Sequence, residues 1–149
     1  MKNLIELVTE NDLWTGAEGE NDENVFLLRF RPHLESFIKT GEYKKRLIIT
    51  WFYESTDSSL LPSEWDLEFM ENVENSLVDI LESDIQAVLA FVYTSGNERE
   101  WNWYMKDKDE TIKRINQALS EFEKIPIELT VEEDENWSEY NFVLEGAKE

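Results

Sequence analysis

A chain of 149 residues with 41% hydrophobic content, including six Trp, five Tyr and eight Phe, fits one domain that buries roughly 70% of its unfolded surface, so its high charge does not signal disorder. The absence of Cys excludes disulfides, thiolate metal sites and a Cys nucleophile. A formal net charge of −20 repels phosphate backbones and anionic membrane surfaces, which argues against a nucleic-acid or membrane partner and leaves two readings, attraction of a basic protein or an acidity that serves only solubility or adaptation to salt. No apolar run reaches the ~18 residues of a membrane span and no basic-then-apolar leader opens the chain, so a cytoplasmic location is expected.

Residues 1–24 begin with an apolar piece, Leu4, Ile5, Leu7 and Val8, followed by Trp14. Ala17 to Glu23 reads as a solvated polar loop, because its carboxylates lack the alternating ligands and terminal bidentate Glu of a calcium loop. Val25 to Arg31 alternates as a strand, with Phe26, Leu28 and Phe30 on one face and Arg29 and Arg31 on the other. Pro32 ends it, and His33 is the sole histidine, which rules out a multi-histidine metal site. Lys39, Lys44, Lys45 and Arg46 gather around Gly41 without the Gly-rich strand-to-helix turn of a phosphate loop. Their expected role is internal balance against the acidic segment that follows.

Leu47 to Tyr53 is nearly continuous apolar, as expected of a central strand buried on both faces. Residues 54–84 then contain ten acidic residues and no Lys or Arg. Most of that stretch, Ser63 to Ser83, reads as one amphipathic helix. Trp65, Phe69, Met70, Val73, Leu77, Ile80 and Leu81 form its apolar arc, and Glu64, Glu68, Glu71, Asp79 and Glu82 form a ridge within about one quadrant on the other side. Ser63 is its N-cap, with Asp66 three residues on. Neighbouring like charges cost a few tenths of a kcal/mol each, which burial of seven large side chains at about 1.5–3 kcal/mol apiece outweighs.

Ile85 to Tyr93 is a second apolar strand, Thr94 to Glu98 a turn, and Glu100 to Lys106 the return strand of a hairpin. On the return strand Trp101, Trp103 and Met105 share one side, either a core layer or an exposed aromatic platform, with the core favoured by the area a Trp buries. A second helix runs from Asp109, its expected cap, to Phe122, and Pro126 opens a last strand, Ile127 to Val131. Trp137, Tyr140, Phe142, Val143 and Leu144 give the tail enough apolar surface to dock back.

From Leu47 the order strand, helix, strand, strand, helix, strand predicts an α+β, ferredoxin-like split βαβ core over residues 47–133, with both helices on one face of an antiparallel sheet. Residues 1–46 extend it with an N-terminal strand, 134–149 form the docking tail, and the whole is a single domain. The free sheet face is left to the termini, a second subunit or a partner.

Arg29-Phe30-Arg31, Trp51-Phe52-Tyr53, Arg99-Glu100-Trp101-x-Trp103-Tyr104 and Asp134-x-x-Trp137-x-x-Tyr140 resemble the bacterial domain of unknown function 695. The chain is similar, more distantly, to the ribonuclease E activity regulator B proteins, acidic ferredoxin-like inhibitors with an Asp-Pro-x-Trp-x-x-Tyr tail; Glu135 here replaces that Pro. The likeness spans most of the chain and implies a fold more than an activity.

No Gly-x-Ser-x-Gly elbow, phosphate loop or His-Glu-x-x-His occurs, and no cofactor is implied. Carboxylates such as Glu132, Glu133 and Asp134 near Glu100 leave glycosidase-type or magnesium-dependent chemistry as an open alternative. The leading expectation is a non-enzymatic acidic binding protein, an inhibitor, regulator or immunity-type protein, whose Glu64, Glu68, Glu71, Asp79 and Glu82 meet a basic protein. The rival is a small-ligand or enzymatic domain with a pocket on the sheet, lined by Trp101, Trp103 and Trp137 and anchored by Arg29 and Arg31. A third reading closes the open sheet face by homodimerisation.

Overall fold

A computed structural model describes residues 4–9, 12–20, 25–55, 60–122 and 125–147. Its elements are α1 (Leu4–Val8), β1 (Thr15–Glu20), β2 (Val25–Phe30), α2 (Glu35–Thr40), β3 (Lys45–Phe52), α3 (Glu64–Glu82), β4 (Ala87–Ser95), β5 (Glu98–Met105), α4 (Lys108–Leu119), β6 (Ile127–Glu133) and α5 (Ser138–Ala147). The strands form one sheet in the order β1-β2-β4-β5-β3-β6, every neighbouring pair antiparallel. The class is therefore α+β.

Side-chain alternation divides the protein into two apolar layers, one on each face of the sheet. On one face Leu47, Ile49 and Trp51 of β3, Leu89 and Val92 of β4, and Trp101, Trp103 and Met105 of β5 meet Met70, Val73, Leu77 and Leu81 of α3 and Ile115 of α4. On the other, Val88, Ala90, Phe91 and Tyr104 meet Leu7 and Val8 of α1, Phe37 of α2, Trp137 just before α5 and Tyr140 within it. The chain thus covers the β2–β4–β5 part of its second sheet face with its own ends.

Local chemistry sets the element boundaries. Ser63 caps α3, its hydroxyl accepting from the Asp66 N–H at 3.1 Å, as expected. The hairpin between β4 and β5 turns on Gly96 and Asn97, whose φ values of 57° and 67° suit the two-residue turn that matches strand twist. The cap of α4 is Asp107, which accepts from the Glu110 N–H at 2.8 Å, not Asp109, which lies inside the first turn.

Other elements depart from expectation for identifiable reasons. Thr15 to Glu20, expected as part of a polar loop from residue 17 on, is edge strand β1, paired with β2; residues 21–23 of that expected loop lie outside the described residues. Its Gly19 sits under the Phe26 ring, where an added Cβ would come within 2.7 Å of the aromatic carbons. β3 is not buried on both faces: Ile48 and Thr50 are partly exposed and Phe52 is exposed, whereas β4 is the strand covered on both sides. α1, α2 and α5 shield the β2–β4–β5 part of the sheet and leave the β3–β6 end open. Trp65, expected in the apolar arc of α3, is 70% exposed in the helix's first turn. Among the described residues no helix is long and apolar enough to cross a membrane.

Candidate functional site

The outer face of α3 carries Glu64, Glu68, Glu71 and Asp79, all exposed, with Asn75 continuing the same stripe at helical spacing. None of the four takes part in an ion pair among the described residues. The basic cluster does not neutralise them. Lys39 pairs with Glu35 within α2, Lys45 with Glu133 and Arg46 with Glu132, both of β6. Beside the stripe, Trp65 lies against Phe69 (ring centroids 5.6 Å apart) over a cavity of about 270 Å³ shared with Glu68 and Asn72.

Glu82, expected as the fifth carboxylate of the ridge, is only 4% exposed. It accepts from Arg31 Nη1 at 2.7 Å, from Arg31 Nη2 at 3.0 Å and from the Leu89 N–H at 2.8 Å. Arg31 also donates to Asp12 through Nε at 2.9 Å, and Trp14 covers both Arg31 and Arg29 at 4.7 and 4.9 Å from the ring centroid. Burial works against the Arg31 charge, but Glu82 and Asp12 more than offset it and hold the guanidinium above its ordinary value. Glu82 is a structural ion-pair member, not a docking residue.

Glu74 repeats this arrangement one step along the sheet. Its Oε1 accepts from Arg29 Nη2 and from the Trp101 Nε1–H, at 2.8 Å in the latter case. Next to them Arg99 is buried, its Nε donating to Thr94 Oγ1 at 2.9 Å. Arg29, Leu67, Glu71, Glu74, Asn75 and Arg99 enclose a cavity of about 230 Å³. Glu74 and Arg99 were not singled out from the sequence as site residues. Glu74 had a findable signal, since it stands four residues after Met70 and three before Leu77, on the flank of the apolar arc.

The three tryptophans expected to line one pocket do not converge. Trp101 and Trp103 are fully buried in the helix-side layer, while Trp137 lies across the sheet, stacked on Tyr104 with centroids 3.9 Å apart. Arg29 and Arg31 face α3, away from Trp137. The Asp134, Trp137 and Tyr140 motif is a fastener. Asp134 accepts from the Ser138 and Glu139 N–H groups at the start of α5 and from the Tyr104 hydroxyl. Trp137 Nε1 donates to the Tyr43 carbonyl, and the Tyr140 hydroxyl donates to the Arg31 carbonyl while accepting from the Leu34 N–H. Burial resists the Asp134 charge, yet the Tyr104 hydroxyl and the two backbone N–H groups outweigh it and hold the carboxyl below its ordinary value.

A depression of about 610 Å³ along α4 is lined by Asp109, Ile112, Lys113, Asn116, Gln117 and Ser120, all from one helix or the residue after it, so no groups converge there from opposite walls. Among the described residues no three His, Asp or Glu side chains are placed to hold a metal ion.

A family model described as a family of unknown function (DUF695) matches residues 12–144. No curated protein and no solved structure matches the chain.

Proposed function

We propose that this chain, which belongs to the DUF695 family, is a non-catalytic acidic protein of the inhibitor, regulator or immunity type. Its partner is a basic protein docked on the outer face of α3. One observation carries this reading: Glu64, Glu68, Glu71 and Asp79 stand exposed and, among the described residues, without cations, while the buried arginines Arg31 and Arg46 are matched to other carboxylates. A net charge of −20 adds a long-range field that speeds encounter with a cationic surface and disfavours nucleic acid and anionic membranes. Trp65, exposed at the edge of the stripe, supplies the aromatic anchor that carboxylates alone lack, since exposed charge pairs contribute under about 1 kcal/mol each.

The segment from β3 to β6 is read as a ferredoxin-like split βαβ core to which β1 and β2 are added. The order β4-β5-β3-β6 with antiparallel neighbours supports that assignment. The core then serves as a rigid backing for α3, and the partner meets a preformed helix face.

The test is calorimetric titration of the chain with a basic protein retained on it at low salt. The expected affinity falls at least tenfold between about 50 mM and about 300 mM NaCl, where the Debye length shortens from roughly 14 to 6 Å. It falls at least tenfold again in the double variant Glu68→Lys, Glu71→Lys. A complex indifferent to both salt and charge reversal overturns the reading.

A further inference from the structure

The cavity between α3 and the sheet holds an imbalance that the fold does not explain. Arg99 is 8% exposed, and the only hydrogen bond of its guanidinium among the described residues is from Nε to the neutral Thr94 hydroxyl. The other two buried arginines each have a carboxylate, Glu82 for Arg31 and Glu132 for Arg46. Burial and the neighbouring Arg29 both push the Arg99 guanidinium below its ordinary value, against a smaller pull from Glu74. A buried cation held beside a second cation without its own counter-ion is destabilising, and a chain shaped for stability alone would not need it. Arg29 does not share the imbalance, because Glu74 takes its charge. Glu71, from α3, also lines the cavity; it is exposed and has no cation among the described residues. The walls of one 230 Å³ cavity therefore present one uncommitted cation and one uncommitted anion, with Asn75 beside them as a neutral donor and acceptor.

We propose that this cavity binds a small zwitterionic amino carboxylate, its carboxylate on the Arg99 guanidinium and its ammonium group toward Glu71. A plain anion would meet Arg99 but leave Glu71 as a repelling wall, and a plain amine would do the reverse. A zwitterion answers both charges and leaves the net charge of the site unchanged. The planar guanidinium fork suits a carboxylate in two-point contact. Leu67 supplies the apolar wall against which a short aliphatic linker rests. The volume limits the ligand to a free amino acid or a compound of similar size. This inference does not rest on the docking of a basic protein; Glu71 belongs to both the stripe and the cavity, so Arg99, which lies in the cavity and not on the stripe, is the residue that separates the two.

The test uses the full chain, with glycine, β-alanine and γ-aminobutyrate as probes of increasing charge separation. Acetate, ethylammonium and inorganic phosphate serve as single-charge comparisons. Calorimetry is expected to give saturable binding of at least one amino carboxylate, with acetate, ethylammonium and phosphate at least tenfold weaker. At ten times its dissociation constant that ligand raises the melting temperature by about 4 °C. Arg99→Gln is expected to abolish binding and to melt no lower than the parent, since it removes an unmatched buried charge. Glu71→Gln is expected to weaken the amino carboxylate while leaving acetate unchanged. Failure of all three amino carboxylates to bind overturns the proposal, as does acetate or phosphate binding as tightly as they do. A large loss of stability in Arg99→Gln with ligand binding intact assigns the arginine to the fold and overturns it equally. Should that variant not fold, the titrations of the parent chain and of Glu71→Gln decide the matter.

Discussion

Replacing Glu82 with Gln separates a structural carboxylate from a docking one. The Arg31 and Glu82 side chains are 1% and 3% exposed, and the carboxylate accepts three hydrogen bonds of 2.7 to 3.0 Å. Breaking one side of a buried pair costs about 3–5 kcal/mol, because the remaining charge stays out of water. Here Arg31 keeps Asp12 at 2.9 Å and the Leu89 carbonyl at 3.0 Å, so the low end applies, about 3 kcal/mol. With a urea dependence near 2 kcal/mol per molar for a chain of this size, the unfolding midpoint falls by about 1.5 M. Tryptophan fluorescence in a urea titration at neutral pH reads it. The same change at exposed Glu68 should leave the midpoint in place or raise it slightly by relieving repulsion. Converting the pair together, Arg31→Met with Glu82→Leu, should recover most of the loss. A Glu82→Gln midpoint within about 0.3 M of the parent refutes the reasoning: at that slope the loss is under 1 kcal/mol, the range of a solvated pair.

Three further outcomes follow from the same geometry. Because the stripe on α3 repels itself, raising NaCl from about 20 mM to about 300 mM should raise the melting temperature; a fall would mean that exposed attractive pairs such as Arg114 with Asp84 dominate instead. Asp134→Asn should cost about 2 kcal/mol at neutral pH by weakening the cap of α5 and the Tyr104 bond. The folded Asp134 carboxyl titrates below its unfolded value near 3.9, so its contribution is present above about pH 4 and is lost as pH falls through the lower folded value. The stability gap between parent and variant should therefore close in acid, and a gap unchanged down to about pH 2 contradicts the assignment. Trp65→Ala should change stability by less than about 1 kcal/mol, since the ring is already 70% exposed, while lowering affinity for the basic partner at least tenfold; unchanged affinity removes Trp65 from the interface.

How much of this was legible in the sequence depends on the range over which each signal acts. The cap of α3 at Ser63 stands where the pattern put it, and the hairpin of β4 and β5 and the helix α4 form where expected with shifted bounds: the turn narrows from Thr94–Glu98 to Gly96 and Asn97, and α4 ends at Leu119 rather than Phe122; each is set by residues within a few positions of one another. β1 was not legible, because Thr15 to Glu20 carries no apolar alternation and is held by pairing with β2 and by the fit of Gly19 under Phe26. α5 was read only as a docking tail, because its first turn is capped from Asp134, at the end of a strand. The two carboxylates that turned out to be buried show the limit most clearly. Glu82 lies opposite Val73 on a helical wheel at ~100° per residue, among positions that sequence assigns to solvent. Its burial comes from Arg31, 51 residues earlier, and Glu74 is matched by Arg29, 45 residues earlier. A wheel encodes one helix; it holds no information on which distant arginine will arrive.

The same distinction explains why family membership carries a fold without a function. The residues on which the likeness rests are largely interior: Trp101, Trp103, Tyr104, Trp137 and Tyr140 are buried, and Arg31 and Asp134 are held in hydrogen-bonded networks. They fasten α3 to β2 and α5 to the sheet. The exposed carboxylates of α3 belong to none of those motifs, so a relative can share the motifs with a different outer surface. Arg99 breaks this division. It sits inside a motif, between the hairpin turn and Trp101, but among the described residues its guanidinium has no carboxylate of its own, and it lines a cavity. A motif residue held only by the neutral Thr94 hydroxyl, at the wall of a cavity, is where the proposed ligand would tie a shared motif to binding.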